Sequence, residues 1–364
     1  MKTIIGWDLG GANVKLACVR DGTLVEALQI PCPILADRTK FDQAVETALA
    51  ALPVAATADL HAVTMTGELS DVFTSRIEGV GYLIALMERI AGETPLLIWG
   101  GSEGLLSPEG AKAAPSAVAS ANWLATAMLA AKLQGDGLLV DIGTTTTDLI
   151  LFRDGTLRMR GTTDGTRLAE GELIYTGIVR TPVMALSQKA PFQGRMQGVA
   201  AEKFATLADV YRLTGDLPED ADPYPTADGR GKSLGESAAR LARMLGRDAE
   251  DAPMADWLAL ARWFAERHWE QIAREAEALM AREALPQDAP LIGAGCGHFL
   301  AGRLAKAFSR PYTDFGKLIG APKLLWGGAA VCAPAVSVAR LAATENTEWA
   351  LSPQRKQLQG VPYA

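Results

Sequence analysis

Histidine and cysteine are scarce in this chain, with three and four among 364 residues. Cys18, Cys32, Cys296 and Cys332 are scattered, without a Cys-x-x-Cys pair or a secreted-style framework, so they read as free thiols. His61, His268 and His298 form no ligand-spaced cluster with them, which argues against a zinc-type cage. Positive charge is short as well: 35 Lys and Arg face 42 Asp and Glu, for a net charge of -7 and a pI near 5.2. A nucleic-acid partner would need a clustered basic surplus, so none is expected. An anionic small ligand stays open if a metal ion supplies the charge. Long apolar runs are missing too. The stretch 116–133 is interrupted by Ser120 and Asn122, and 329–343 by Pro334 and Arg340, so neither reads as a membrane span. Met1-Lys2-Thr3-Ile4-Ile5 has no signal-peptide core. A cytoplasmic protein without a membrane partner is the expectation.

What is present is an ordinary globular balance of 49% hydrophobic and 21% charged residues, in a chain long enough for two cores. An internal near-repeat organises it. Ile4-Ile5-Gly6-Trp7-Asp8-Leu9-Gly10-Gly11-Ala12-Asn13-Val14-Lys15-Leu16 is echoed by Leu138-Leu139-Val140-Asp141-Ile142-Gly143-Thr144-Thr145-Thr146-Thr147-Asp148-Leu149. Each reads as an apolar strand, Asp-x-Gly, a small polar turn and a second apolar strand. The flanks predict strands near 23–30 and 62–65 around a helix near 40–52, then strands near 156–160 and 291–292. Mixed sheets covered by helices, duplicated into two facing lobes, follow. The expected divisions are a first lobe at 1–135, a second at 136–344 with a helical insertion at about 196–285, and a polar tail at 345–364. Insertion helices are predicted at 201–213, 233–245 and 253–283, around a Pro/Asp/Gly-rich stretch at 215–231.

The hairpin pair carries the candidate chemistry. Amides in a glycine turn make a concave anion nest, and small threonines let phosphate approach. Gly10, Gly11, Asn13, Lys15, Gly143, Thr144, Thr145 and Thr146 are therefore candidate phosphate-binding residues. Asp8 and Asp141, each ending a first strand, are candidates to hold Mg2+, directly or through water, since this ion prefers few carboxylates, several waters and phosphate oxygens. For either turn alone a structural hairpin is the competing explanation. Lys15 serves a phosphate or is a solvated strand lysine; Asp148 approaches the site or caps its turn. Ile292-Gly293-Ala294-Gly295-Cys296-Gly297-His298 joins a strand to a helix, so Gly293 and Gly295 are further phosphate candidates. Gly229-Arg230-Gly231-Lys232-Ser233 ends like a phosphate loop, but Thr226 stands where its first glycine belongs. Met65-Thr66-Gly67-Glu68-Leu69-Ser70-Asp71 is expected to put Glu68 and Asp71 at a cleft rim. The stretch Asp164 to Leu173 adds carboxylates and Arg167, with capping and solvation as the alternative.

The paired hairpins and the late Gly-Ala-Gly turn resemble the actin/sugar-kinase/Hsp70 superfamily. More narrowly, Asp8-Leu9-Gly10-Gly11-Ala12-Asn13, Met65-Thr66-Gly67-Glu68-Leu69, Ala121-Asn122-Trp123 and Glu170-Gly171-Glu172-Leu173-Ile174-Tyr175-Thr176-Gly177 look like the hydantoinase/oxoprolinase-related group linked to tetrahydromethanopterin-dependent C1 transfer. The resemblance implies a two-lobed actin-like ATPase (ribonuclease H-like) α/β fold. It also implies a methanofuran-pathway transferase joining a furan-methyl diphosphate to a phenol, with diphosphate as leaving group and Glu68, Asp8 and Asp141 as catalytic residues. An ATP-using kinase or amide-bond hydrolase of the same architecture is the alternative, and a non-catalytic nucleotide regulator is the alternative of another class. A small phosphorylated substrate is the expected partner; homo-oligomerisation is left open.

Overall fold

The computed structural model describes residues 2–32, 34 and 37–344; the expected tail lies outside them. The first lobe runs β1 (Thr3–Leu9), β2 (Asn13–Arg20), β3 (Thr23–Pro31), α1 (Thr39–Ala51), β4 (Leu60–Met65), α2 (Arg76–Ala91), β5 (Leu96–Trp99), β6 (Leu105–Leu106), two short helices α3 (Pro108–Ala113) and α4 (Pro115–Val118), then α5 (Asn122–Gln134). Its sheet has the order β3-β2-β1-β4-β5-β6. β1 is buried along its whole length, antiparallel to β2 and parallel to β4. A strand covered on both faces reads as a continuous apolar run, which is why Thr3–Leu9 was legible.

The second lobe repeats the plan: β7 (Gly137–Ile142), β8 (Thr147–Arg153), β9 (Thr156–Leu157), α6 (Asp164–Ala169), β10 (Leu173–Ile174), a hairpin of β11 (Lys189–Phe192) and β12 (Arg195–Gly198), α7 (Leu207–Thr214), α8 (Leu234–Arg243), α9 (Met254–Arg282), β13 (Leu291–Ala294), α10 (His298–Ala307), β14 (Tyr312–Asp314), α11 (Phe315–Leu318), α12 (Trp326–Val331) and α13 (Ala333–Thr344). Its sheet order is β10-β8-β7-β13-β14, with β9 beside β8. The duplicated α/β architecture expected from the two hairpins is present. One difference is local: of the strand expected at 156–160 only Thr156–Leu157 forms, as β9 beside the far end of β8, while β10, from a later segment, pairs with the near end of β8.

The three insertion helices form as α7, α8 and α9, capped by Thr206, by Ser233 and, without a side-chain bond, at Pro253. Ser233 belongs to a capping box with Glu236, which accounts for the apparent phosphate-loop ending at that point. α13 crosses back onto β1, β2 and β4, and a Cβ on Gly6 would lie 1.9 Å from the carbonyl oxygen of Ala335. Only glycine allows that approach. With α5, which is buried almost all round, α13 fills one core shared by both sheets, including Ile4, Val19, Leu139 and Phe152. The lobes are thus joined by packed helices behind the hairpins. Among the described residues no single helix is long and apolar enough to cross a membrane.

Candidate active site

Both hairpins place an aspartate at the end of a central strand. In the first, Asp8 lies opposite Lys15, and in the second Asp141 lies opposite Asp148. The turns close in the same way: Gly10 donates to the Asn13 carbonyl at 3.1 Å, and Gly143 to that of Thr146 at 2.8 Å. The amides of Gly11, Ala12, Thr144, Thr145 and Thr146 donate to no acceptor among the described residues. On the other side the second turn is braced, since Ile178 donates to the Gly143 carbonyl and Arg180 to that of Thr144, at 3.1 and 2.9 Å. A Cβ on Gly177 would meet Thr145 N at 2.5 Å, so glycine is required for this brace. Carbonyls tied back and amides left open is the polarity of an anion nest.

The charges between the turns are unevenly balanced. Lys15 Nζ stands 3.8 Å from Asp8, whose side chain is 4% exposed against 22% for the lysine. Burial pushes the Asp8 carboxyl up, while Lys15 and the side chain of Asn122 oppose this. For Lys15 burial works to lower the ammonium pKa, yet Asp8, Cys332, Asp141 and Cys296 outweigh it and the net direction is up. Asp141 is pushed up to about 7, by burial first, then by Asp148 and Asp8, with Lys15 opposing. Asp148 has its own counter-charge, Arg167, at 2.8 Å. Arg167 is buried and stacks over the Trp123 ring with 3.8 Å between its guanidinium carbon and the centroid. Arg167 therefore joins Asp148 of the second hairpin to Trp123 at the start of α5, next to Asn122, whose side chain acts on Asp8 of the first. Arg167→Met should leave Asp148 without a partner and cost about 3 kcal/mol or more in urea unfolding; a loss below ~1 kcal/mol would show the pair is dispensable.

The structure brings together Asp8, Lys15, Asp141 and the amides of both turns, with Asn13 beside them: Asn13 is 3% exposed and its Oδ1, like Asp8 Oδ1, has no hydrogen-bond partner among the described residues. Two expectations need correction. Glu68 is not at a rim. It is 1% exposed, because Gly67 packs beneath Phe41 and Gly79 of α2 sits directly on its backbone, drawing the turn inward; Asp71 is exposed. Glu68 Oε1 accepts from the Ser120 amide at 2.8 Å and its hydroxyl at 3.4 Å, and Oε2 is buried with no partner among the described residues. Burial pushes this carboxyl up to about 7, against its own amide, Ser120 and Arg76. Ser120 itself adopts φ +55°, a costly backbone for a residue with a side chain, in the segment that also supplies Asn122.

The Gly293 to His298 turn also differs from expectation. Tyr312 covers Gly293, and the amides of Gly295, Gly297 and His298 donate to Ala330, Ile142 and Gly295. They are committed to protein carbonyls, so the turn is no open nest. Its part is to brace the second carboxylate: a Cβ on Gly295, whose φ is +77°, would lie 2.5 Å from Asp141 Oδ1. Arg167, Asn122 and Ser120 escaped the reading of motifs as site residues. The register itself held the clue for Arg167, since an aspartate opposite an aspartate demands a cation from elsewhere.

Comparison with known proteins assigns the chain to a family. A curated synthase from Methanocaldococcus jannaschii, (4-{4-[2-(gamma-L-glutamylamino)ethyl]phenoxymethyl}furan-2-yl)methanamine synthase, is 32% identical over 248 residues, covering 68% of this chain and 72% of the relative. The same-named protein of Methanococcus vannielii is 35% identical over 111 residues, 30% of this chain and 50% of that protein. A nucleotide-free acetone carboxylase structure superposes with a TM-score of 0.48 at 10% identity, covering 93% of this chain and 70% of that one. The hydantoinase/oxoprolinase family model matches residues 59–342, most of both lobes, and the chain belongs to that family.

Proposed function

We propose that this protein is a transferase that joins a furan-methyl diphosphate to a phenolic acceptor, forming an aryl ether and releasing diphosphate. The supporting observation is the pair of open glycine turns, one from each sheet, with Asp8, Lys15 and Asp141 between them. Such a site suits a polyanion that gains charge as it leaves. The names of the curated relatives describe a phenoxymethyl-furan product, which is the bond this chemistry would make. In the proposed step the phenol oxygen bonds to the furan CH2, the CH2–O bond to diphosphate breaks with its electron pair on the leaving group, and a carboxylate takes the phenol proton, with Glu68 as the candidate if the turn that buries it opens. The turn amides and Lys15 hold the departing charge.

Mg2+ fits the residues present. Asp8 Oδ1 and Asn13 Oδ1 are buried without partners, and Asp141 is crowded by two carboxylates, all hard oxygen donors. Among the described residues no three Asp, Glu, His or Cys converge as a protein-only cage, so Asp8 and Asp141 would hold the ion largely through water. When bound, it would neutralise charge on the diphosphate oxygens.

Incubation with furan-methyl diphosphate and a phenol, without nucleotide, should release pyrophosphate only when both substrates are present, as read by mass spectrometry. EDTA should stop the release and Mg2+ restore it. A second reading, which follows from the resemblance to ATP-using enzymes of this architecture, has Asp8 and Asp141 on Mg-ATP. Product formation that requires ATP, with ADP or phosphate appearing, would replace the first reading with the second.

A further inference from the structure

The helical insertion reaches back to the site. Its loop between α7 and α8 docks on the first lobe, where Gln29 donates to the Asp220 carbonyl at 3.3 Å and the Tyr224 hydroxyl donates to the Gly11 carbonyl at 3.4 Å. Over the Tyr224 ring, 5.2 Å from its centroid, lies the guanidinium carbon of Arg180. Arg180 is the residue whose amide braces Thr144 in the other turn. One tyrosine and one arginine therefore connect the tips of both hairpins.

The loop is firmly held on either side of Tyr224. Arg212 and Lys232 grip Asp222 at 2.7 and 3.3 Å, and the buried Arg240 binds Asp209, Asp228 and the Gly231 carbonyl at 2.7, 3.1 and 3.0 Å. These arginines are neutralised by carboxylates. Arg180 is not: it is exposed, and among the described residues it has no carboxylate within ion-pair distance. An aromatic face orients a guanidinium without cancelling its charge, and its planar fork matches two phosphate oxygens. The guanidinium of Arg180 is thus an oriented cation close to the tips of both turns, a placement that suits an anion held by the turn amides.

We propose, building on the diphosphate site described above, that Arg180, aimed by Tyr224, binds the outer phosphoryl group and so makes the site select diphosphates over monophosphates. In this proposal a single phosphate is held by one turn alone, whereas a diphosphate spans from a turn to the guanidinium.

Calorimetric titration of the full chain with inorganic pyrophosphate and with inorganic phosphate, both with Mg2+ and without furan substrate, tests this. Arg180→Gln should weaken pyrophosphate binding about 10- to 100-fold and phosphate binding less than about threefold, with Arg180→Lys between. Tyr224→Leu, which keeps the charge but removes the ring that aims it, should give an intermediate loss confined to pyrophosphate. Arg180→Gln that binds pyrophosphate like wild type, or loses both anions equally, overturns the proposal while leaving the diphosphate site standing. A wild-type protein that binds no pyrophosphate removes that site and the proposal together. If Arg180→Gln unfolds, Arg180→Lys and Tyr224→Leu decide the matter by the same selective loss.

Discussion

Asp8→Asn and Asp141→Asn are each expected to abolish turnover while leaving the fold intact. Removing a carboxylate that organises the ion at the developing charge should cost on the order of 3 kcal/mol or more in the transition state. Near-wild-type rates in both variants would remove the hairpins from the chemistry. The two substitutions differ in their effect on stability. Asp141 has a folded pKa of about 7, raised above the unfolded value. Its contribution to folding is therefore most favourable at pH below the unfolded pKa and is lost as pH rises through about 7. In metal-free buffer at pH 8 the wild type must bury a carboxylate crowded by Asp148 and Asp8, whereas Asp141→Asn does not. The inactive variant should then be more stable by roughly 1–3 kcal/mol in urea unfolding. Mg2+ should reverse the order by binding only the wild type well. An Asp141→Asn protein less stable than wild type at pH 8 without metal would show that the carboxylate is satisfied by protein alone.

Glu68→Gln is expected to slow ether formation about a hundredfold at neutral pH, the usual loss on removing a positioned proton acceptor. Glu68 must be ionised to act, and burial raises its carboxyl to about 7, so the wild-type rate should climb as pH rises through that value. The glutamine variant should lack this limb. Its deficit should shrink toward pH 9–10, where a phenol of pKa about 10 ionises unaided. Acceptors with more acidic phenols should shrink it further at fixed pH. A Glu68→Gln enzyme equal to wild type at every pH would move the proton to another acceptor. Ser120 holds Oε1, and Oε2 is buried with no partner among the described residues, so a phenol reaches Oε2 only if the turn that buries Glu68 opens, and an unchanged rate in Glu68→Gln is the outcome if it does not.

Much of this site could be read locally because its determinants are local. Asp-x-Gly after an apolar run specifies both a tight turn and the carboxylate's place at a strand end, and neither depends on distant residues. Two copies of that signal were sufficient to expect facing sheets and a polyanion between them. The insertion helices were legible for the same reason, through 3.6-residue periodicity and caps such as Ser233. Where the prediction slipped, competition between distant segments was at work. β9 and β10 are two residues each, taken from separate segments that meet opposite ends of β8, and α13 returns to the first sheet where Gly6 has no side chain to block it.

The amino-acid sequence by itself determined the duplicated hairpins, the aspartates at their strand ends and the α/β architecture around them, since turn chemistry and strand periodicity act over a few residues. Tertiary structure alone decided which charges meet. Arg167 reaches Asp148 across 19 positions, Ser120 anchors Glu68 across 52, and Tyr224 reaches Gly11 across 213. It also committed the amides of Gly295, Gly297 and His298 to protein carbonyls and left those of Gly11, Ala12, Thr144, Thr145 and Thr146 without an acceptor among the described residues. Burial, which sets the carboxyls of Asp141 and Glu68 near 7, is a property of everything packed around them, and no local pattern encodes it.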